Sequence, residues 1–409
     1  MLKKIRVFDL QVGMYVVDTG LSWLDHPYLY CSEGLIESEE DIRTIRSQGF
    51  AETFIETDKD ALRCDAMRVY DQAALEKALA EALLDYPAEL KSNKNVPLAE
   101  ELRAAVQVHA KAVETARYAM EAVAAGVPLD SQACLDSARG IAASASRNRD
   151  ALVCLTMQGD AGGYHVRHGV GVSVLAAAFG DYLGLSRNQV TELAVAGLLH
   201  DVGKALSPKD LLDKPGKLSD EEYQRLKRHP IESCAVVSGC MSLSEHVLRG
   251  IAEHHERFDG SGYPQGLKGS GQCFHGRLLA IADVFDALTQ DRPYKSRLLP
   301  DKAMSAVYAL RGRDFDTQML ERFIKCLGVY PVGSLVRLTS GEHAVVSESN
   351  PATPLRPKVT VVFDQDMAPI HPAPVDLSGR EGPAPAKPMD IAAIIDHRPH
   401  GVAAGDLLL

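Results

Sequence analysis

The chain is poor in tryptophan, in paired cysteines, in basic runs and in long apolar stretches, and each shortage removes a class of protein. A single Trp, with no alternation of aromatic and basic positions, argues against a platform that stacks single-stranded nucleic acid. The eight cysteines, at positions 31, 64, 134, 154, 234, 240, 273 and 326, contain no C-x-x-C pair. That spacing argues against a thiolate zinc site and a disulfide framework, and leaves reduced, mostly buried thiols. No apolar run approaches the roughly 20 residues that span a bilayer. The opening Met1–Leu10 stretch carries basic residues, but Asp9 follows soon and no continuous apolar region develops, so it does not read as a signal peptide. A cytoplasmic location is therefore expected. With a net charge of −11 and no Lys/Arg cluster, neither a nucleic-acid polymer nor a membrane is an expected partner. A small anionic ligand remains compatible, because local charge at a site can oppose the global sign.

What is present fits a soluble globular protein: 46% apolar and 24% charged residues, in 409 positions that are too many for one ordinary core. Residues 1–65 alternate apolar and polar positions in short bursts (Ile5, Val7, Leu10; Met14–Val17; Phe54–Ile55), with one short helix over Glu37–Gln48. They predict a small β-rich domain of unknown role. Residues 66–145 form a helical connector. Within it Leu102, Val106, His109, Val113, Ala116, Met120 and Val123 recur at alternating four- and three-residue spacing between Pro97 and Gly126. This seam suits either an intramolecular helix pair or a dimerising helix, and His109 within it reads as a tolerated core residue. Residues 146–330 read as nearly all helix. Residues 331–371 hold strands around Val332–Leu338 and Val359–Phe363, and 372–409 form a Pro/Ala/Gly-rich tail expected to be partly disordered. The fold class is mainly α, with a β-rich domain in front and a small β appendage behind. No internal repeat is apparent.

The chemistry gathers in the helical part. Half of the fourteen histidines fall between His165 and His255. His254–Pro264 opens on two adjacent imidazoles and closes in a Gly-x-Gly-x-Pro turn, which suits either two ligand positions around one charged centre or a polar surface loop. Leu198–Lys204 delivers His200 and Asp201 to the end of an apolar helix, where Gly203 turns the chain and lets Lys204 point back. A carboxylate bridges two divalent cations whereas an imidazole binds one, so an Asp among several His suits a two-metal centre.

These residues resemble the HD-GYP domain, the branch of the HD metal-dependent phosphohydrolases associated with cyclic di-GMP hydrolysis. The matching stretches are Tyr164-x-x-x-His168, His200-Asp201-x-Gly-Lys204, Lys214–Leu218, His229-Pro230, His254–Pro264, Gly266–Gly269, Arg277–Leu288 and Asp291–Lys295, in order over roughly 150 to 328. The first 65 residues resemble a domain often found before soluble members. The resemblance implies an all-helical HD-type catalytic domain with metal ligands at His168, His200, Asp201, His229, His254, His255 and Asp283, Asp201 being the bridge. Taken singly, His168 reads equally as a capped core histidine, His229 as a helix-start residue and Asp283 as a helix-interior acid. Together, five imidazoles and two carboxylates favour iron, manganese or zinc over magnesium, with iron or manganese expected. Some members bind a third metal through a Glu one turn before the first His; here that position is Tyr164, a poor ligand at neutral pH, so two metals are expected. His165 is a remote candidate on the same face.

Lys204 is expected beside the scissile phosphate as a catalytic group with Asp201, Arg292 and Lys295 on the second phosphate, and Tyr263 over a guanine. Asp286 is a candidate for holding a metal-bound His, and Asp259 for a turn. The implied reaction is attack of a metal-bridging hydroxide on cyclic di-GMP to give linear pGpG, and onward to GMP. The alternatives are a low-activity sensing module that docks a diguanylate cyclase domain through the Gly-Tyr-Pro loop, and an HD phosphohydrolase acting on another nucleotide.

Overall fold

The architecture, taken from a computed structural model, is described for residues 2–19, 29–30, 32–47, 50–56, 96–158, 163–212, 214, 218–291, 297–350, 352–379, 389–398 and 406–408. The alternating N-terminal segments pair into a sheet of β1 (Leu2–Arg6), β2 (Tyr15–Val16), β3 (Leu29–Tyr30), β4 (Gly34–Leu35) and β5 (Glu52–Glu56). The order is β1-β5-β2-β4, with β3 parallel to β5. Helix α1 (Glu39–Ser47) is shorter than its predicted span and covers one face, burying Ile42 and Ile45 against Val7, Leu10, Val16, Ile36 and Ile55. Its start is set by Ser38 and Asp41, each accepting the other's backbone N–H at 3.2 and 2.8 Å.

The predicted seam is one helix, α2 (Leu98–Ala124), and it packs within the chain against α3 (Ser131–Gln158) and α4 (Tyr164–Tyr182). The buried face differs from the predicted one. It holds Leu102, Ala105, His109, Ala112, Ala116, Ala119 and Val123, while Val106 is 42% exposed. Alanines allow close backbone approach, so the tighter packing goes to the small-residue side rather than to the larger Val106, Val113 and Met120. Glu101 is buried in the same contact and accepts from Ser144 Oγ at 2.6 Å and from Arg147 Nη2 at 2.8 Å. Extended backbone at Asn148 kinks α3, and its amide donates to the Val96 carbonyl at 3.0 Å.

The helical body continues with α5 (Arg187–Leu199), α6 (Lys209–Leu212), α7 (Asp220–Leu226), α8 (His229–Cys240), α9 (Glu245–Glu253), α10 (Phe274–Thr289), α11 (Pro300–Ala309) and α12 (Thr317–Leu327). Helices α4, α5 and α10 are buried nearly all round, which places them at the centre of the body. Among the described residues no helix is long and apolar enough to cross a membrane.

Behind them, β6 (Leu335–Leu338), β7 (His343–Glu348), β8 (Lys358–Phe363), β9 (Pro369–Asp376) and β10 (Ile391–Ile394) form an antiparallel sheet of order β10-β6-β7-β8-β9. The stretch expected as a tail from Pro372 thus supplies the end of β9 and all of β10. Its prolines are compatible with a strand because β9 is an edge, where a missing N–H costs no ladder bond.

The N-terminal sheet meets the helical body through charge. Lys4 Nζ lies 2.9 Å from Glu52 and 3.7 Å from Asp314, whose side chain is fully buried. Asp314 also faces Arg257 Nε at 3.6 Å, and Arg313 pairs with Glu52 and with Asp259 at 3.4 Å.

Candidate metal centre

Helix ends deliver most of the site. His200 caps the C-terminus of α5, His254 caps that of α9, and His229 opens α8 directly after α7. Each turns Nδ1 toward a main-chain carbonyl three residues back: His200 to Gly197 at 2.8 Å, His229 to Leu226 at 2.7 Å and His254 to Ile251 at 2.6 Å. A carbonyl only accepts, so Nδ1 carries the proton in all three and Nε2 presents its lone pair inward.

Those lone pairs converge. His229 Nε2 is 3.3 Å from His254 Nε2, 3.1 Å from His255 Nε2 and 3.1 Å from Asp201 Oδ1. Burial and neighbouring imidazoles hold His254 and His255 well below the ordinary imidazole range, with Lys204 adding to the effect at His255; burial and Lys204 lower His229 as well. His229 and His254 both commit Nδ1 to a carbonyl and so turn acceptor lone pairs toward each other at 3.3 Å, an arrangement that a shared cation would satisfy. His200 Nε2 and Asp201 Oδ1 are buried without a hydrogen-bond partner, the signature expected of atoms reserved for coordination. Asp201, His229, His254 and His255 form one donor group whose atoms lie within 4.8 Å of one another, and His168, His200 and Asp283 form a second.

The second group is oriented differently. His168 lies on α4 and Asp283 on α10, with His168 Nε2 2.8 Å from Asp283 Oδ1. On the other side of the ring, His168 Nδ1 donates to Asp286 Oδ2 at 2.6 Å, and Asp286 accepts from Gln290 Nε2 at 2.8 and 2.9 Å. Gly171 makes room for this carboxylate: a Cβ there would stand 1.8 Å from Asp286 Oδ1. Burial opposes a charge on His168, but Tyr164, Asp283 and Asp286 outweigh it and raise that imidazole well above its ordinary value. Asp201 and Asp283 are held well below the carboxylate range: burial pushes up, and the surrounding imidazoles, with Lys204 at Asp201, pull harder the other way.

Asp201 faces both groups. Its Oδ1 lies on the side of His229 and His254, while Oδ2 is 3.4 Å from His200, 3.7 Å from His168 and 2.6 Å from Lys204 Nζ. Tyr164 stacks flat on His168, ring centroids 5.5 Å apart, and His165 meets Tyr164 edge-on and belongs to neither donor group. Arg292 and Lys295 lie outside the described residues.

The Gly-Tyr-Pro loop closes over the first group. A Cβ on Gly262 would stand 2.3 Å from Arg257 N and 2.5 Å from His255 O, so only glycine lets this backbone cross the ligand strand. Tyr263 N–H donates to the His255 carbonyl at 3.1 Å, and its buried ring stacks on His255 with centroids 4.8 Å apart. Glu256, which the sequence reading passed over, fixes the loop: its carboxylate accepts the N–H groups of Gln265 and Leu267 at 2.7 and 2.9 Å. Asp259 accepts from Ser261 N–H at 2.8 Å, a turn contact. Glu256 and Gln290 carried one available signal, a polar residue within one turn of a ligand or of the ligand's holder.

Three families match the chain: the HD domain over residues 141–319, a domain of unknown function (DUF3391) over 2–134, and a KOW domain associated with HD domain over 335–381. A cyclic di-GMP phosphodiesterase of Pseudomonas aeruginosa is 36% identical over 383 residues, 93% of this chain and 90% of its own. The cyclic di-GMP phosphodiesterase response regulator RpfG of Xanthomonas campestris is 42% identical over 155 residues, 38% of this chain and 41% of its own. A 3'3'-cGAMP-specific phosphodiesterase of Vibrio cholerae is 40% identical over 139 residues, 34% of this chain and 32% of its own. A solved HD-GYP-type protein of Bdellovibrio bacteriovorus aligns with a TM-score of 0.44 at 19% identity, over 79% of this chain and 98% of its own. The near full-length relationship, together with the HD-domain match, shows the family: the chain belongs to the HD-GYP family of HD-domain phosphohydrolases.

Proposed function

We propose that the protein is a metal-dependent phosphodiesterase that opens cyclic di-GMP to linear pGpG, and onward to GMP, using two divalent cations. The observation that carries this reading is the meeting of imidazole nitrogens and carboxylate oxygens in two adjacent donor groups that share Asp201 as their boundary. Five imidazoles and two carboxylates suit iron or manganese, and Tyr164, whose ring lies on His168, does not add a third site. When bound, such cations supply a water nucleophile activated at neutral pH and neutralise charge on the phosphodiester.

The chain's own residues do the rest. Asp201 holds both donor groups in register through its two oxygens. Lys204, kept on Asp201 Oδ2 at 2.6 Å, sits where it neutralises a phosphate oxygen and donates a proton to the leaving oxygen. Arg292 and Lys295 are assigned to the second phosphate, where an arginine fork grips two oxygens at once. Tyr263 walls the first group and shields His255 from water. Docking of a diguanylate cyclase domain would use the exposed Pro264–Gly266 surface, and dimerisation the exposed Val106 and Tyr118 flank of α2.

The test combines metal analysis with product chromatography on protein purified anaerobically and supplied with iron or manganese. Wild type is expected to yield pGpG and to bind two metals per chain. Intact cyclic di-GMP after incubation with metal-loaded wild type overturns the reading.

A further inference from the structure

The two faces of the N-terminal sheet have different partners. Side chains alternate across a strand, and in the register of β1 with β5 the residues Leu2, Lys4, Glu52, Phe54 and Glu56 share one face while Ile5 and Ile55 share the other. Ile5 and Ile55 pack with the domain's own core under α1. Leu2 and Phe54 instead join the apolar cluster of the helical body, where β1 lies against α11. Two lysines carry charge across this docked face, and they reach different places. Lys302 of α11 donates to Glu56 at 2.7 Å, which fastens one surface to the other. Lys4 reaches past α11 to the turn before α12, 3.7 Å from the carboxylate of Asp314.

That turn is bound to the ligand loop by its main chain. Phe258 N–H donates to the Asp314 carbonyl at 3.0 Å and Asp259 N–H to the Arg313 carbonyl at 2.8 Å, just beyond His254 and His255. The fully buried Asp314 carboxylate faces Arg257 of the loop, itself only 3% exposed, at 3.6 Å as well as Lys4. Arg313 makes a second connection, with Glu52 on the sheet and Asp259 on the loop. Arg257 N lies against the Gly262 crossing, where a Cβ would stand 2.3 Å away, so the loop has little room to absorb a shift. A displacement of Asp314 therefore passes to the backbone that carries His254 and His255.

A lysine is costly to keep at position 4. Burial pushes its ammonium down to about 8; Asp314 pulls it back, Arg313 adds to the fall and Asp259 opposes it. A methionine would bury a stem of similar length without a charge to desolvate, so docking of the sheet does not by itself account for the lysine. We infer that Lys4 is a positioning residue of the metal centre: through Asp314, the N-terminal sheet fixes the loop that presents His254 and His255. This role rests on the metal-centre reading above and not on the identity of the substrate. It gives the β-rich domain a part in holding the first donor group.

The test compares full-length wild type with Lys4→Met, Lys4→Arg and Lys302→Met. Lys302→Met is the control, since it removes an ion pair of the same docked face made from α11 rather than from the turn. Two quantities are read: hydrogen exchange of the Phe258 and Asp259 amides, and manganese affinity by calorimetric titration. Lys4→Met is expected to speed exchange at both amides and to weaken manganese binding, each roughly tenfold. Lys4→Arg keeps the charge and is expected to recover most of both losses. Lys302→Met stays within about twofold of wild type in both, because a partly exposed pair contributes little. Exchange and affinity unchanged in Lys4→Met, or altered equally in Lys302→Met, overturn the inference. Should Lys4→Met not fold, Glu52→Gln carries the same expectation, because it loosens Lys4 and Arg313 from the sheet with Lys4 in place. If wild type takes up no manganese, the metal-centre reading fails separately, and exchange at Phe258 and Asp259 still decides whether Lys4 holds the loop.

Discussion

The two donor groups of the metal centre are built by opposite means. In the group of Asp201, His229, His254 and His255, the main chain orients two of the three imidazoles through carbonyls three residues back. In the group of His168, His200 and Asp283, the main chain orients His200, but His168 depends on a chain of side chains, Asp286 and then Gln290. The first group is also electrostatically quiet, its imidazoles held neutral by burial. In the second, Tyr164 and the carboxylates on both sides of His168 outweigh burial and raise that imidazole well above its ordinary value. A centre assembled this way has one half fixed by folding and one half that responds to its surroundings.

The contrast is open to experiment. The largest effect is expected from Asp201→Ala, which removes the carboxylate facing both groups: phosphodiesterase turnover falls to background and both metals are lost, read by elemental analysis and chromatography. Turnover retained in that variant would sink the bridging role. Asp286→Ala should split the halves. Losing the acceptor that orients His168 is expected to weaken metal binding at the second group roughly 10- to 100-fold, with the first group filled as in wild type. Simultaneous loss of both metals would show that the groups are not separable.

Acidification should separate them in the same direction. A metal at His168 must displace a proton held above the ordinary value, so affinity there falls roughly tenfold per pH unit as pH drops through neutrality. His229, His254 and His255 are depressed below 6.5, so the first group keeps its metal until pH falls below that ordinary value. Stoichiometry after equilibration across this range is the readout, and joint release at one pH would contradict the contrast. The smallest effect is expected at Lys227, whose ammonium lies 4.9 Å over Tyr263. Lys227→Ala should lower stability by about 0.5–1 kcal/mol, measured by thermal denaturation, with metal content unchanged.

Much of the site was legible because its residues sit at helix ends, where an apolar run followed by His-Asp or His-His marks both the end of the element and the donors it delivers. Asp286 was legible too, being one helical turn from Asp283 and so on the same face. Other features depended on information a single sequence does not carry. The phase of α2 was misplaced because Ala105, Ala112 and Ala119 are weak hydrophobic signals beside Val106 and Met120, yet close packing selects the small side. The C-terminal strands were hidden because prolines read as disorder until the strand is known to be an edge. Lys4 had no local signal at all: only the fold brings it within 3.7 Å of Asp314.

Asp314 bears on where this protein can be cut. Its carboxylate is sealed from water between Lys4 of the N-terminal sheet and Arg257 of the ligand loop, three residues beyond His254. A fragment limited to the matched HD span of 141–319 keeps all seven donors but loses Lys4 and Glu52, opening this charge node to solvent and leaving Arg313 without Glu52. The boundary of the matched domain is therefore not the boundary of the electrostatic unit, and activity lost on trimming the N-terminus would report a disturbed ligand loop as readily as a missing regulator.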